Sequence, residues 1–292
     1  MAIPQRVLGK TGVRVPILGF GTASCGIRRS VSNGVELMNA AINAGVNYMD
    51  TAPLDTGYGR AQEQLGQVLR DRRKDVFVVT KVHSSDGDAA RRLLDKNLKE
   101  LQTDHADLVY AHSMGDLDLD EAVSKNGVFA ALSRLKKEGR TRFIGFSGHH
   151  RPAKFVRVLQ SEWGDDIDVM MLAVNFADRH TYNFEERVWP EAAKRNIGLV
   201  AMKVFGGANW SDKAMSNAMV PANLHDQALR YAWGLPQISL AVIGMATEEE
   251  LRQNITRAQA FKPLTPTQTH ELIEGPGRKL AAQWGAHFGA IG

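Results

Sequence analysis

Eight times along this chain of 292 residues, a short β-branched, apolar run gives way to a connecting stretch, and several of these connections carry clear helical spacing. Such alternation is the signature of repeated βα units and therefore of a parallel sheet, since parallel neighbours need a crossover between them. The runs lie near Ile17 to Ala23, Val46 to Ala52, Val76 to Val82, Ala106 to Ser113, Arg142 to Gly148, Val169 to Asn175, Gly198 to Val204 and Ile238 to Gly244. Apolar residues recur at three- and four-residue spacing in Gly34 to Ala44, Ala89 to Leu101, Phe129 to Glu138 and Glu249 to Phe261, which predicts helices there. Ahead of the first run, Arg6 to Pro16 alternates in character around glycines, as a short hairpin does. The expected fold is α/β: a (β/α)8 TIM barrel with an N-terminal β-hairpin capping one end, and residues 1–292 as a single domain. The tail from Thr265 predicts one further helix, and Gly206 to Pro221, long and weakly periodic, reads as a loop on the active rim.

Within three successive runs the apolar stretch meets an ionisable residue: Val46 to Met49 meets Asp50, Val76 to Thr80 meets Lys81, and Leu108 to Ala111 meets His112. The strand ends of a parallel barrel share one rim, so an acid, an amine and an imidazole converge there from distant parts of the chain. Tyr58, just beyond Asp50, offers a fourth group. A Tyr-Gly pair in a loop is most often structural, and a lysine ending a strand is usually a solvated tip. Their coincidence on consecutive strand ends is what points to chemistry.

Composition narrows the alternatives. The 36 basic and 32 acidic residues are interspersed, as in Arg70 to Lys74 with Asp71 and Asp75, and no basic groove for nucleic acid emerges. Cys25 is the single cysteine, so this chain builds no internal disulfide, cysteine-rich zinc site or iron–sulfur cluster. No run of about twenty apolar residues predicts a membrane span, and the N-terminus lacks the pattern of a secretion signal. The expected location is the cytoplasm. Asp116, Asp118 and Asp120 fall on one face of an extended stretch, but no matching ligand set accompanies them and no metal is assigned.

The motifs Leu18-Gly19-Phe20-Gly21-Thr22, Asp50-Thr51-Ala52, Tyr58-Gly59, Leu65-Gly66, Thr80-Lys81, Asp107-Leu108 with His112, and Gly145-Phe146-Ser147 resemble, in order and spacing, the aldo-keto reductase superfamily over nearly the whole chain. The resemblance implies a barrel holding an extended nicotinamide cofactor, NADP or NAD, and a tetrad that reduces a small-molecule carbonyl or oxidises the alcohol. Carried over by motif, the catalytic residues are Asp50, Tyr58, Lys81 and His112. Hydride arriving at a carbonyl carbon leaves charge on oxygen, so the site needs a proton donor there. Tyr58 suits that role. A free phenol has a pKa of about 10, and a neighbouring ammonium is expected to lower it. Lys81 would supply that charge, Asp50 would hold Lys81, and His112 would orient the substrate oxygen.

The resemblance further implies cofactor contacts from Thr22, Asp50, Ser147, Gly148, Met171, Met202, Lys203, Val204, Phe205, Gly206, Gly244, Met245, Glu250 and Asn254. Several depart from the family pattern. Pro53 to Gly57 makes the loop before Tyr58 longer by three residues. Of the usual carboxamide contacts only Ser147 is retained, with His149 or Asn175 as candidate substitutes. Met202 stands where an aromatic platform is common, and Lys203 is expected to face the pyrophosphate. Glu250 occupies the position of the arginine that many relatives set against the 2′-phosphate. A carboxylate there repels that phosphate and accepts from a free ribose hydroxyl, although three acids at a helix start also simply complement its dipole. The expectation is an NADP preference weaker than the family norm.

Two other functions compete: a lyase or isomerase forming a Schiff base on Lys81, and a non-catalytic nucleotide-binding barrel acting as subunit or sensor. Specificity is expected from the rim loops Ser24 to Asn33, Gly115 to Asn126, Asp178 to Phe184 and Gly206 to Pro221, with Trp210 and Phe205 as candidate apolar walls. His149 and His150 are candidate pocket residues. His83, His105, His180, His225, His270 and His287 are expected at the surface or in packing. Oligomeric state is not legible, since no heptad pattern marks a helix face.

Overall fold

The computed structural model describes residues 2–207 and 218–292. Strands β1 (Gln5–Val7) and β2 (Arg14–Pro16) form the antiparallel hairpin. Eight parallel strands then close a barrel in the order β10-β3-β4-β5-β6-β7-β8-β9. They are β3 (Leu18–Gly21), β4 (Tyr48–Asp50), β5 (Phe77–Val82), β6 (Ala106–Ala111), β7 (Thr141–Gly148), β8 (Val169–Ala173), β9 (Gly198–Met202) and β10 (Ile238–Gly244). Each lies inside a run read from the sequence, except that β7 starts one residue before its run. The outer helices are α1 (Ala23–Arg28), α2 (Val31–Asn43), α3 (Ala61–Arg72), α4 (Gly87–Glu100), α5 (Leu119–Ala122), α6 (Val128–Lys137), α7 (Pro152–Gln160), α8 (Phe184–Arg187), α9 (Trp189–Ala193), α10 (His225–Gly234), α11 (Glu248–Gln259), α12 (Pro266–Leu272) and α13 (Arg278–Trp284).

The period-2 pleat sorts each strand between two cores. Tyr48, Val79, Leu108, Tyr110, Val169, Met171, Val200, Met202, Leu240 and Val242 fill the barrel interior. Their neighbours Met49, Val78, Val109, Met170, Leu199 and Ala241 face the helices. The hairpin plugs the N-terminal end by adding Leu8 and Val15 to the inner set. Gly9 makes that closure possible: its φ is +49°, and a Cβ there would lie 2.2 Å from the Gly198 nitrogen.

The same end is stapled by two buried carboxylates. Asp107 accepts from the Val78 amide at 2.8 Å and pairs with Arg73 and Arg142 at 3.0 and 2.7 Å. Asp168 accepts from the Ile144 amide at 2.9 Å and from Lys136 at 2.6 Å. Each takes an N–H from the preceding strand, tying neighbours at their starts.

Two expectations on the connections are corrected. Ser24 to Asn33 is not an open loop, because Ala23–Arg28 is helical and Ser30 caps α2 by accepting from the Asn33 amide at 3.3 Å. The tail holds α12 and α13 joined by a π turn at Ile273–Gly277, where Pro276 cannot donate to the helical ladder. Trp210 lies outside the described residues.

If the basal staples hold the barrel closed, Asp107→Ala lowers stability by about 2–4 kcal/mol. Urea unfolding checks this, with a lower midpoint and an unchanged slope expected.

Candidate active site

Asp50, Lys81 and His112 each sit two residues beyond an inward-facing core residue, Tyr48, Val79 and Tyr110 respectively, so the pleat aims all three into the barrel mouth. Asp50 is 2% and Lys81 1% exposed. Strand adjacency brings them together: the Lys81 ammonium donates to both Asp50 carboxylate oxygens at 2.8 and 2.7 Å, to the Thr51 carbonyl at 2.9 Å, and contacts the Tyr58 hydroxyl at 3.1 Å. The amide and hydroxyl of Thr22 both donate to the Asp50 carbonyl at 2.9 Å, fixing its backbone from the neighbouring strand.

Tyr58 arrives by a different route. Leu54–Thr56 forms a single turn after β4, and Gly59 then packs directly on Gly26 of α1. A Cβ on Gly26 would come 2.2 Å from the Tyr58 carbonyl oxygen, and one on Gly59 2.5 Å from the Gly26 carbonyl oxygen. Two facing glycines thus set how deeply Tyr58 enters. The Lys81 nitrogen lies 4.7 Å from its ring centre, and the His112 ring meets it edge-on at 6.3 Å and 73°.

The electrostatics follow from burial. Burial pushes the Asp50 carboxyl up, against the pull of Lys81. Burial opposes the Lys81 charge too, yet Asp50 and Tyr58 hold its ammonium above the ordinary value, and the two short contacts define an ion pair. The Tyr58 phenol is raised, chiefly by burial and also by Asp50, which together outweigh the Lys81 charge. That corrects the expectation of a lowered phenol: the interior disfavours phenolate more than one ammonium favours it. His112 is held well below its ordinary range by burial and then by Lys81, so the ring is neutral, and its buried Nδ1 has no hydrogen-bond partner among the described residues.

Two cavities meet at these groups, sharing Ala23, Tyr58, Met202 and Lys203. The inner crevice runs from Asp50 and Tyr58 to Gly244. The outer cavity, about 430 Å³, opens above Tyr58, Lys81 and His112. Of the residues expected on the cofactor, Asp50, Met171, Met202, Lys203, Val204, Phe205 and Gly244 line the crevice, and Ser147 lines the outer cavity.

The others are placed elsewhere, for stated reasons. Thr22 is spent on Asp50. Gly148 is one pleat out of phase with Ser147 and faces the Phe155 ring, 2.4 Å from an added Cβ, while Gly206 faces Trp284 in the same way. Met245 is buried in the outer core. Asn254 is buried and accepts from Arg257 at 3.1 Å. Glu250 closes a capping box on α11, its Oε2 accepting from the amides of Ala246 and Thr247 at 2.6 and 3.2 Å, so that oxygen serves the helix start. Asn175, a candidate carboxamide contact, instead holds the amides of Ala177 and Asp178. His149 lines the outer cavity, whereas His150 packs on the loop of Gly115.

Sequence reasoning missed His83, which lines the outer cavity beside His112. Its signal was available: it is two residues past Lys81, the same parity that selects Lys81. Among the described residues, no group of three or more His, Cys, Asp or Glu is arranged to hold a metal; Asp118 caps α5 and Asp120 pairs with Arg157. No helix there is long and apolar enough to cross a membrane.

A closed parallel barrel with a lysine–carboxylate–phenol cluster at its C-terminal rim is the architecture of a barrel oxidoreductase. The profile of the Aldo/keto reductase family matches residues 17–227. L-galactose dehydrogenase of Arabidopsis thaliana is 25% identical over 321 residues, covering 98% of this chain and 98% of that protein. A solved structure from Pseudomonas aeruginosa, described as of the aldo-keto reductase type, has 29% identity and a TM-score of 0.71 over 88% of this chain and 96% of its own. An aldo/keto reductase from Klebsiella pneumoniae, solved with NADP and acetate, shares the fold at 21% identity and TM-score 0.71, over 92% of this chain and 94% of its own. The chain belongs to the aldo/keto reductase family, and thereby to the NAD(P)-dependent oxidoreductases.

Lys203 carries a further consequence. Burial and then Lys81 lower it to about 8, against Asp50, and its backbone takes φ +57°. An amine with a depressed pKa penalises the fold fully below pH 8, and the penalty fades as pH rises from 8 towards 10.5. Lys203→Met is therefore expected to raise stability by about 1–3 kcal/mol at pH 7, with the gain shrinking above pH 8. Thermal unfolding of both proteins across pH 6–10 checks the sign.

Proposed function

We propose that residues 1–292 act as one catalytic unit that reduces a small aldehyde or ketone with NADPH or NADH, or oxidises the alcohol. The observation that carries this reading is Lys81 bonded at once to both Asp50 oxygens and to the Tyr58 hydroxyl, on the floor of an open cavity. The crevice suits a nicotinamide: Met171 and Met202 offer polarizable surface beside Asp50. When bound, that cofactor supplies the hydride. Asp50, Met171, Met202, Lys203, Val204, Phe205 and Gly244 would hold it, with Ser147 reaching from the outer side.

The protein's own part is proton transfer and charge control. The reacting oxygen binds at the Tyr58 Oη, with neutral His112 orienting it. Burial keeps the phenol protonated at neutral pH, so the hydroxyl is always loaded. As negative charge grows on that oxygen, the phenol proton moves to it, and the Lys81 ammonium stabilises the phenolate left behind. Asp50 keeps Lys81 in place and charged. In oxidation the same atoms act in reverse.

Tyr58→Phe is expected to lower kcat by about a thousandfold or more while cofactor binding is retained. Full activity in that variant would move the proton donor elsewhere. Glu250 sits in the cap of α11 beside Glu248 and Glu249, with no arginine among these three positions, which supports a weakened NADP preference. We expect kcat/KM for NADH and NADPH to agree within about tenfold; strong NADPH selectivity in steady-state kinetics would overturn that part.

A further inference from the structure

The N-terminal end of the barrel carries a cavity of its own, about 370 Å³ in volume, which is the size class of small-molecule sites. The hairpin, the turn Arg73–Asp75 and the start of β7 wall it. It lies away from the reacting groups: Phe77, in its floor, opens β5, whereas Lys81 stands near the far end of that strand. Four cations, Arg14, Arg73, Lys74 and Arg142, face two carboxylates, Asp75 and Asp107.

Both carboxylates are already spent. Asp75 pairs at 3.1 Å with Arg72, which stands outside the lining. Asp107 puts one oxygen on the Val78 amide and Arg73 and the other on Arg142, so two guanidinium groups share a single negative charge. Arg14 and Lys74 form no ion pair among the described residues. The remaining polar lining is engaged as well: the His105 carbonyl accepts from Arg73 at 3.2 Å, its Nδ1 lies 2.6 Å from Asp104, and the Asn47 carbonyl accepts from the Phe77 amide at 2.9 Å. What is left is net positive charge on a concave surface, and such a surface focuses the field on an incoming anion.

The donors are also held ready. Arg142 gives Nη1 to Asp107 at 2.7 Å and lies 5.2 Å over the Phe143 ring centre, and that ring stacks on Phe77 at 6.3 Å and 14°. Its Nε and Nη2 carry no hydrogen bond among the described residues. Arg14 is tethered by a single bond from Nη2 to the Gln5 carbonyl at 3.3 Å. A fixed guanidinium fork with unspent N–H groups matches the oxygens of a phosphate, and its rigidity lowers the ordering cost of binding. Beneath these groups the floor is apolar, made by Val13, Val15, Val76 and Phe77. We propose that this basal cavity binds a small organic phosphate, with the phosphate dianion between Arg14, Lys74 and Arg142 and the apolar body against Val13, Val76 and Phe77. Bound there, the ligand joins hairpin, turn and β7, and so stabilises the barrel without touching the reaction. The proposal stands apart from the carbonyl-reductase reading.

Phenyl phosphate is the probe, with inorganic phosphate and phenol as its two halves and ionic strength held constant with chloride. Titration calorimetry is expected to show one site for phenyl phosphate, about tenfold or more tighter than for inorganic phosphate, with no saturable binding of phenol, and Tm is expected to rise with phenyl phosphate concentration. Saturating NADPH should leave that binding unchanged; its loss would place the ligand in the inner crevice and overturn the proposal. The double variant Arg14→Gln with Lys74→Gln changes two exposed side chains outside the Asp107 staple, and it is expected to weaken binding about tenfold or more while NADPH affinity and turnover stay as in the wild type. No saturable binding of phenyl phosphate, equal affinity for inorganic phosphate, or undiminished affinity in the double variant would each sink the idea. Vesicles of phosphatidylcholine with phosphatidic acid are expected to leave the protein in the supernatant on sedimentation; recruitment that the double variant loses would assign the cavity to a lipid headgroup and overturn the claim of a soluble ligand.

Discussion

The site depends on one ion pair, Asp50 with Lys81, sealed from water at the mouth of the barrel. Neither charge is tolerable there alone, because removing an isolated ion from water costs several kcal/mol. Together they are held by strand adjacency, by the Thr51 carbonyl and by Thr22 anchoring the Asp50 backbone. The other groups take their states from this pair: the Tyr58 hydroxyl finds the Lys81 nitrogen, and His112 is kept neutral in part by the same ammonium.

The division of labour between the barrel ends is equally physical. The N-terminal end is closed by the hairpin and by Asp107 and Asp168, which spend their charge on backbone amides and on arginine or lysine. That end is stability. The C-terminal end carries Asp50, Tyr58, Lys81 and His112 around two cavities. A carboxylate at one end and a carboxylate at the other therefore have unlike roles, although both are buried.

Where the sequence was legible, regular period was the reason. Eight apolar runs located the strands, and pleat parity at Tyr48, Val79 and Tyr110 aims Asp50, Lys81 and His112 inward. Parity is also what separates Ser147, in the cavity, from Gly148, which faces Phe155. The reading weakened where residues were carried over without regard to parity, or lay on turns and helices to which the pleat does not apply. Met245 turned to the outer core, Asn175 turned to its own loop, and Glu250 was taken up by a helix cap. The sign of the Tyr58 shift was not readable either, because it balances burial against two nearby charges and needs three-dimensional depth. His83 was legible by parity but obscured by the absence of a motif around it.

The glycine pair behind Tyr58 has a consequence for how such a chain diversifies. Because Gly26 and Gly59 clamp the tyrosine from its downstream side, the segment between Ala52 and Tyr58 is free to gain or lose residues without moving the phenol. Here that segment forms the small turn Leu54–Thr56, which brings Asp55 and Thr56 to the cavity rim. A change of length at that point alters the cavity rim and leaves the contact between Tyr58 and Lys81 where it was.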